Sequence, residues 1–169
     1  MENDAQALTE IGNEAFSDGI AKGFPSFTPD RFVKMHEREG VKLVVAESDE
    51  RVAGFLVITG GDDAVPAQVH LVGVEKGLRG RGIGKELVKY SIQYAKEVGK
   101  KKMRLYIRPW NLAIRKVCMD TGFIPEAYLR REYLNEDLIQ FALFLECPHQ
   151  SDTLGTVKDC HETLTPLVF

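Results

Sequence analysis

The stretch that decides the fold is Leu78-Arg79-Gly80-Arg81-Gly82-Ile83-Gly84-Lys85-Glu86-Leu87, which lies between a predicted strand and a predicted helix. Its closely spaced glycines let the backbone approach a ligand, because glycine has no Cβ and adopts positive φ readily. The free N–H groups in the first turn of a helix bind phosphate oxygens. We therefore predict a diphosphate-binding loop formed by Arg79, Gly80, Arg81, Gly82, Ile83, Gly84 and Lys85.

Two common phosphate-binding motifs do not fit this stretch. A Walker P-loop needs Gly where Arg79 stands and Ser or Thr where Glu86 stands. A Rossmann fingerprint counted from either of the first two glycines would place its third glycine at Lys85 or Leu87. The remaining alternative is a glycine-rich turn that only starts a helix, and it does not explain the basic side chains among the glycines.

The charge distribution also indicates an anionic ligand. Residues 76–116 contain thirteen Lys and Arg against two acidic residues, although the whole chain has a net charge of −3. The run Lys100-Lys101-Lys102 follows a helix end, where cations are favoured in any protein, and accounts for part of this excess. A nucleic-acid partner is not expected, because the lysines are not interleaved with aromatic residues.

Working outward from the glycine stretch, hydrophobic periodicity and turn residues predict the order ααβββαβαββ. Strands with helices interleaved in the middle and hairpins at both ends indicate an α/β (α+β) fold. We expect a mixed, mostly antiparallel central sheet of about six to seven strands flanked by helices on both faces. The helices are predicted at residues 5–16, 29–40, 83–98 and 112–121, and the strands at 41–47, 52–59, 68–75, 103–108, 128–133 and 138–145.

The length of 169 residues is that of one domain, and we assign residues 1–146 to it and 147–169 to a C-terminal tail. The apolar runs are too short to cross a bilayer, and no basic leader precedes them, so we expect a cytoplasmic protein without a membrane partner. Three cysteines without framework spacing favour free thiols. The Cys and His residues of the tail match no zinc pattern, so no metal is expected.

Two motifs together resemble the GNAT family of N-acetyltransferases. The pattern Arg79-x-x-Gly82-x-Gly84, preceded by the strand Val72-Gly73-Val74, is similar to the family's acetyl-CoA signature, and Asn111 to Phe123 is similar to its other cofactor-side helix. The resemblance implies the acyl-CoA N-acyltransferase (GNAT) fold and a diphosphate bound by the glycine-loop amides. It also implies that the pantetheine arm pairs like an additional strand with Val72, Gly73 and Val74, and that Asn111 forms a hydrogen bond with this arm. Arg115 or Lys116, one helical turn further on, could approach a cofactor phosphate, or these residues could lie on a solvated helix face.

Transfer of an acetyl group to a primary amine requires a neutral nucleophile, and an amine of pKa ~10.4 is almost fully charged at pH 7. The resemblance implies His70 as the base, although a histidine in a strand is often only a hydrogen-bonded core or rim residue; Glu75 is a weaker candidate. The family's usual acid, a tyrosine, is replaced here by Cys118. This cysteine is either the proton donor to the leaving thiolate or a small buried apolar residue.

The acceptor of this family lies between the loop joining the first two helices, here residues 18–27, and the final hairpin, here residues 128–138. Their acidic and aromatic residues suit a cationic amine with an apolar body or a peptide N-terminus. The family's usual first strand has no counterpart before the first helix, and the tail could pair at an exposed edge within the chain or in a homodimer. The competing interpretation is a non-catalytic acyl-CoA-binding or regulatory module.

Overall fold

A computed structural model describes residues 2–17, 26–60 and 65–145. Its element order is the predicted one, with a short 3-10 turn added at Lys76–Leu78. No helix in these three ranges is long and apolar enough to cross a bilayer. The predicted tail lies outside the described residues. The helices are α1 (Glu2–Ser17), α2 (Pro29–Glu37), α3 (Ile83–Glu97) and α4 (Leu112–Asp120), and the strands are β1 (Val41–Ser48), β2 (Arg51–Thr59), β3 (Ala67–Val74), β4 (Lys102–Ile107), β5 (Ile124–Tyr133) and β6 (Glu136–Phe144).

The six strands form one sheet in the order β1-β2-β3-β4-β6-β5. Every neighbouring pair is antiparallel except β3 and β4, which are parallel. The strands β3 and β4 can be parallel because α3 lies between them in the chain and provides the crossover connection. The prediction of a mixed, mostly antiparallel sheet is confirmed.

Helices cover both faces of the sheet and enclose two separate apolar clusters. Helices α3 and α4 cover one face, where fully buried Val88, Ala95 and Cys118 pack with residues of the central strands. On the other face, the rings of Phe27 and Phe32 lie 5.4 Å apart. The predicted cap of α2 is also confirmed, since the Thr28 hydroxyl accepts a hydrogen bond from the Arg31 amide at 3.3 Å.

The parallel strands β3 and β4 separate after a short contact, and this separation creates the site. They pair only from Ala67 with Met103 to Val69 with Leu105. In the antiparallel ladder between β2 and β3, Val57 pairs with Leu71 but Ile58 pairs with Val69, so His70 is an extra residue in β3. Such a β-bulge bends its strand and redirects its side chains. Because the pairing of β3 with β4 ends at Val69, the rest of β3 has one hydrogen-bonding edge without a strand partner among the described residues.

Candidate active site

The gap between β3 and β4 opens into a cleft of about 840 Å³ that reaches both faces of the sheet. A volume of this size matches a site for a small-molecule ligand. One wall is β3 with the beginning of the glycine loop, and the opposite wall is the end of β4 with the start of α4. Side chains of α1, α2 and the β5–β6 hairpin close its outer end.

The glycine loop joins β3 to α3 and leaves the helix N-terminus open. Gly80 and Gly82 have φ values of 79° and 89°, and a Cβ added at either position would meet nothing within 4 Å. Gly82 is the N-cap of α3, and within the described residues no side chain accepts a hydrogen bond at this helix start. The first-turn amides can therefore donate to an anion.

The basic side chains of the loop do not all point at this helix start. The Arg79 side chain folds back, and its Nε donates to the Val74 carbonyl at 3.0 Å. The Lys85 ammonium lies 3.7 Å from the Asp120 carboxylate on α4. Of the loop residues, Arg79 is the one that lines the cleft among the described residues.

The segment Val72-Gly73-Val74 is bound on one side only. It pairs with Leu56, Phe55 and Gly54 of β2, and its other edge faces the gap left by β4. Gly73 is required by packing, because an added Cβ would lie 2.5 Å from the Phe55 ring. This edge offers backbone donors and acceptors to an extended ligand, which could bind as an additional strand.

His70 lies at the outer part of the cleft with its side chain exposed. Its Nδ1 is 3.3 Å from Gln68 Nε2, while Gln68 Oε1 accepts from Arg104 Nε at 3.2 Å. Because the amide nitrogen can only donate, Nδ1 accepts and the neutral ring carries its proton on Nε2. Desolvation by its surroundings, followed by the charges of Arg104 and Arg38, lowers the pKa of His70 below 6.5. The imidazole is therefore neutral at pH 7, with its basic lone pair at Nδ1.

Cys118 is fully buried in the cluster under α4 and is not among the residues that line the cleft. Burial raises the pKa of its thiol to about 12. This placement favours the second of the two sequence interpretations, a small buried apolar residue. Tyr106 and Tyr133 do line the cleft. Tyr128 does not, and its hydroxyl donates to Asp137 at 2.8 Å.

Asn111 and Arg115 lie at the start of α4, and they differ in their relation to the cleft. Asn111 lines it, and its Oδ1 also accepts from the Ile114 amide at 3.4 Å as the N-cap of the helix. Arg115 does not line the cleft, and its Nη1 donates to the Pro109 carbonyl at 2.7 Å. Arg115 thus supports the turn that presents Asn111. Glu75 is also absent from the cleft lining.

Sequence reasoning missed two arginines at the outer end of the cleft. Arg108 follows β4, donates from Nε to Glu136, and has a buried Nη2 without a hydrogen-bond partner. Arg38 follows α2 and lines the same end. The sequence signal for them was weak. Arg108 is a basic residue that follows a strand, and Arg38 is a basic residue at a helix end, where the helix dipole favours any cation. No group of residues that could hold a metal occurs in the described ranges.

Comparison with known proteins assigns the family. The sequence profile described as "Acetyltransferase (GNAT) family" matches residues 6–123. A search of curated proteins found no match. The fold is similar to that of the ribosomal-protein-alanine N-acetyltransferase from Brucella melitensis, with 22% identity, a TM-score of 0.75, and coverage of 86% of this chain and 96% of that chain. It is also similar to yncA from Salmonella typhimurium, solved with its cofactor acetyl-CoA, with 24% identity, a TM-score of 0.74, and coverage of 89% and 93%.

A third similar structure is a spermidine N-acetyltransferase from Vibrio cholerae, with 14% identity, a TM-score of 0.70, and coverage of 86% of this chain and 92% of that chain. At these identities the structures establish the fold alone. The profile match includes β3, the glycine loop, β4 and the whole of α4, which contain both walls of the cleft. The chain belongs to the GNAT family of acetyltransferases.

Proposed function

We propose that this protein transfers an acetyl group from acetyl-CoA to a primary amine by direct attack in a ternary complex. The observation that carries the proposal is the cleft between β3 and β4, which borders the unpaired edge of β3 and is lined by Arg79 at the start of the glycine loop. Family membership and the presence of acetyl-CoA in one similar structure support it. Two others are described as acting on a protein alanine and on spermidine, so both support an amine acceptor.

The described residues fit the cofactor at two points. The amides of Ile83, Gly84 and Lys85 begin α3 without a side-chain cap, and the empty space at Gly80 and Gly82 leaves room for phosphate oxygens. The unpaired edge of Val72-Gly73-Val74 would hold the amide groups of the pantetheine arm, and Asn111 faces it from the other wall. When bound, acetyl-CoA supplies an acetyl group activated as a thioester.

The residues of this chain would then lower the barrier in two ways. As the amine nitrogen bonds to the thioester carbonyl carbon and the C–S bond breaks, the carbonyl oxygen gains negative charge. A backbone N–H on the free edge of β3 can donate a hydrogen bond to that oxygen. His70 is neutral at pH 7 and can take the amine proton at Nδ1, either directly after displacing Gln68 or through water.

The leaving thiolate needs no dedicated acid from the core, because it is a fair leaving group unaided. Since Cys118 is buried and its thiol has a raised pKa of about 12, we propose that solvent or a cleft tyrosine protonates the thiolate. Tyr106 and Tyr133 are the two tyrosines that line the cleft among the described residues.

The competing function is a module of the same fold that binds acyl-CoA without turning it over. The absence of the family's usual tyrosine at Cys118 is the observation that favours it. Incubation with acetyl-CoA and a panel of amines, with detection of the free CoA thiol, separates the two. Amine-dependent thiol release supports the enzyme; tight acetyl-CoA binding without release above the buffer rate establishes the binding module.

A further inference from the structure

We infer that the amine acceptor carries an anionic group, such as the carboxylate of an amino acid, which Arg38 and Arg108 bind at the outer end of the cleft. This inference rests on the proposed acetyl transfer and specifies its substrate class. It differs from the sequence expectation of a cationic amine, and the reason lies in how the charged side chains are arranged.

Arginine dominates the charged lining of the cleft. Arg31 of α2, Arg38 just after α2, Arg79 of the glycine loop and Arg108 just after β4 line it, whereas Glu132 is the one acidic residue among its described lining residues. Arg38 has no carboxylate partner in the described part of the chain, and its side chain is exposed. The lining therefore attracts an anion and repels a polycation.

Arg108 has an unused hydrogen-bond donor. Its side chain is 16% exposed, its Nε donates to Glu136, and its Nη2 is buried without a partner. A buried unpaired donor is costly, and each such group in a native protein needs an explanation. An arginine fork binds carboxylates through two nitrogens, so a small adjustment of the side chain would allow a ligand carboxylate to supply the missing acceptor.

Two acidic residues of the final hairpin that could have favoured a cation, Glu136 and Asp137, are paired elsewhere. Glu136 is paired with Arg108, and it does not line the cleft. Asp137 accepts from the Tyr128 hydroxyl at 2.8 Å and from the Arg131 amide at 2.9 Å. Residues 128–138 of the hairpin thus present Glu132 to the cleft, while the other two carboxylates of this segment are held within the hairpin and at its junction with β4.

The electrostatic environment of His70 agrees with this arrangement. Desolvation first, and then the positive charges of Arg104 and Arg38, lower the pKa of the imidazole, and Arg38 lines the same cleft as His70. An amino acid whose carboxylate bound to Arg38 would bring its amino group towards His70, the proposed base. A polyamine would bring further positive charge instead.

The test compares acceptors that differ only in the anionic group. L-amino acids, their carboxamides and spermidine are assayed with acetyl-CoA by thiol release, and kcat/KM is expressed per neutral amine, because the amino pKa differs between these compounds. We expect the carboxylates to exceed their carboxamides at least tenfold. Equal or better turnover of carboxamides or spermidine would overturn the inference and leave acetyl transfer intact. No turnover of any acceptor would overturn both.

Two variants locate the anion subsite. Arg38→Gln and Arg108→Gln should each reduce the carboxylate preference, the ratio of kcat/KM for a carboxylate to that for its carboxamide, at least fivefold, chiefly through the KM of the carboxylate. Lys34→Gln removes one charge from α2 outside the cleft and should leave the preference unchanged.

Glu136→Gln breaks the same ion pair as Arg108→Gln but keeps the guanidinium, so it controls for loss of that pair. It should keep the preference. If Arg38→Gln leaves the preference intact, or if Glu136→Gln lowers it as much as Arg108→Gln, the inference fails. Because Arg38 is exposed, its variant is expected to fold whatever becomes of the Arg108 variant.

Discussion

Two substitutions of Gly82 that differ by one negative charge test whether the N-terminus of α3 binds the phosphates of acetyl-CoA. Gly82 caps α3 with φ 89° and ψ −7°, and no atom lies within 4 Å of an added Cβ. A side chain there is accommodated sterically, but its backbone is strained by ~1–2 kcal/mol, less for Asn and Asp than for other residues. Gly82→Asp and Gly82→Asn have nearly the same shape and strain, so their difference in acetyl-CoA affinity reports the charge.

The expected difference follows from the geometry of the open loop. A carboxylate about 5 Å from a phosphate charge costs roughly 1 kcal/mol in water and about 3 kcal/mol at the effective dielectric constant near a protein surface. A tenfold loss of affinity corresponds to ~1.4 kcal/mol. We therefore expect Gly82→Asp to bind acetyl-CoA at least tenfold more weakly than Gly82→Asn at low salt, with a smaller ratio as ionic strength rises.

The protein contains its own reporter for this assay. Trp110 is the one tryptophan of the chain, lines the cleft, and is 53% exposed, so its fluorescence should change when the cleft is filled. Gly99 provides a matched control, because it lies at the other end of α3 with φ 73° and equally empty space. Gly99→Asp and Gly99→Asn should bind acetyl-CoA equally. Equal affinity of the two Gly82 variants at low salt would refute a phosphate site at this helix N-terminus.

Three further substitutions separate roles within the cleft. Asn111→Ala should weaken acetyl-CoA binding in a titration; a large fall in Tm of the free protein with unchanged affinity per folded molecule would show that Asn111 is only a cap worth about 1 kcal/mol. Because the pKa of His70 is lowered, kcat/KM expressed per neutral amine should fall only once the pH drops below 6.5, and this acidic limb should be missing from the profile of His70→Gln; the same limb retained in the variant would exclude His70 as the base. Cys118→Ala should keep nearly normal turnover and lose about 1 kcal/mol of stability in chemical denaturation, whereas Cys118→Tyr should be destabilised by about 1–3 kcal/mol through overpacking; a hundredfold loss of turnover in a folded Cys118→Ala would contradict a packing role.

The element order, the helix starts and the sheet class were all predictable from local chemistry. Thr28 followed by Pro29 is typical of a helix start, and Gly99 of a helix end, because these preferences depend on a few neighbouring backbone groups. The boundaries were less accurate. β5 begins at Ile124 rather than at residue 128, since a strand that pairs with β6 can extend through residues without strong β preference.

The sequence by itself also predicted the glycine loop of the proposed cofactor site, because this loop is a continuous segment whose conformation depends on its own backbone. The arrangement of the proposed acceptor side was decided only by the tertiary structure. The bulge at His70 is set by pairing with β2, and the presence of Arg38 and Arg108 in one cleft depends on how α2 packs relative to the end of β4. Burial of Cys118 depends in the same way on the sheet beneath α4. These are contacts between residues far apart in the chain, and no local pattern specifies them.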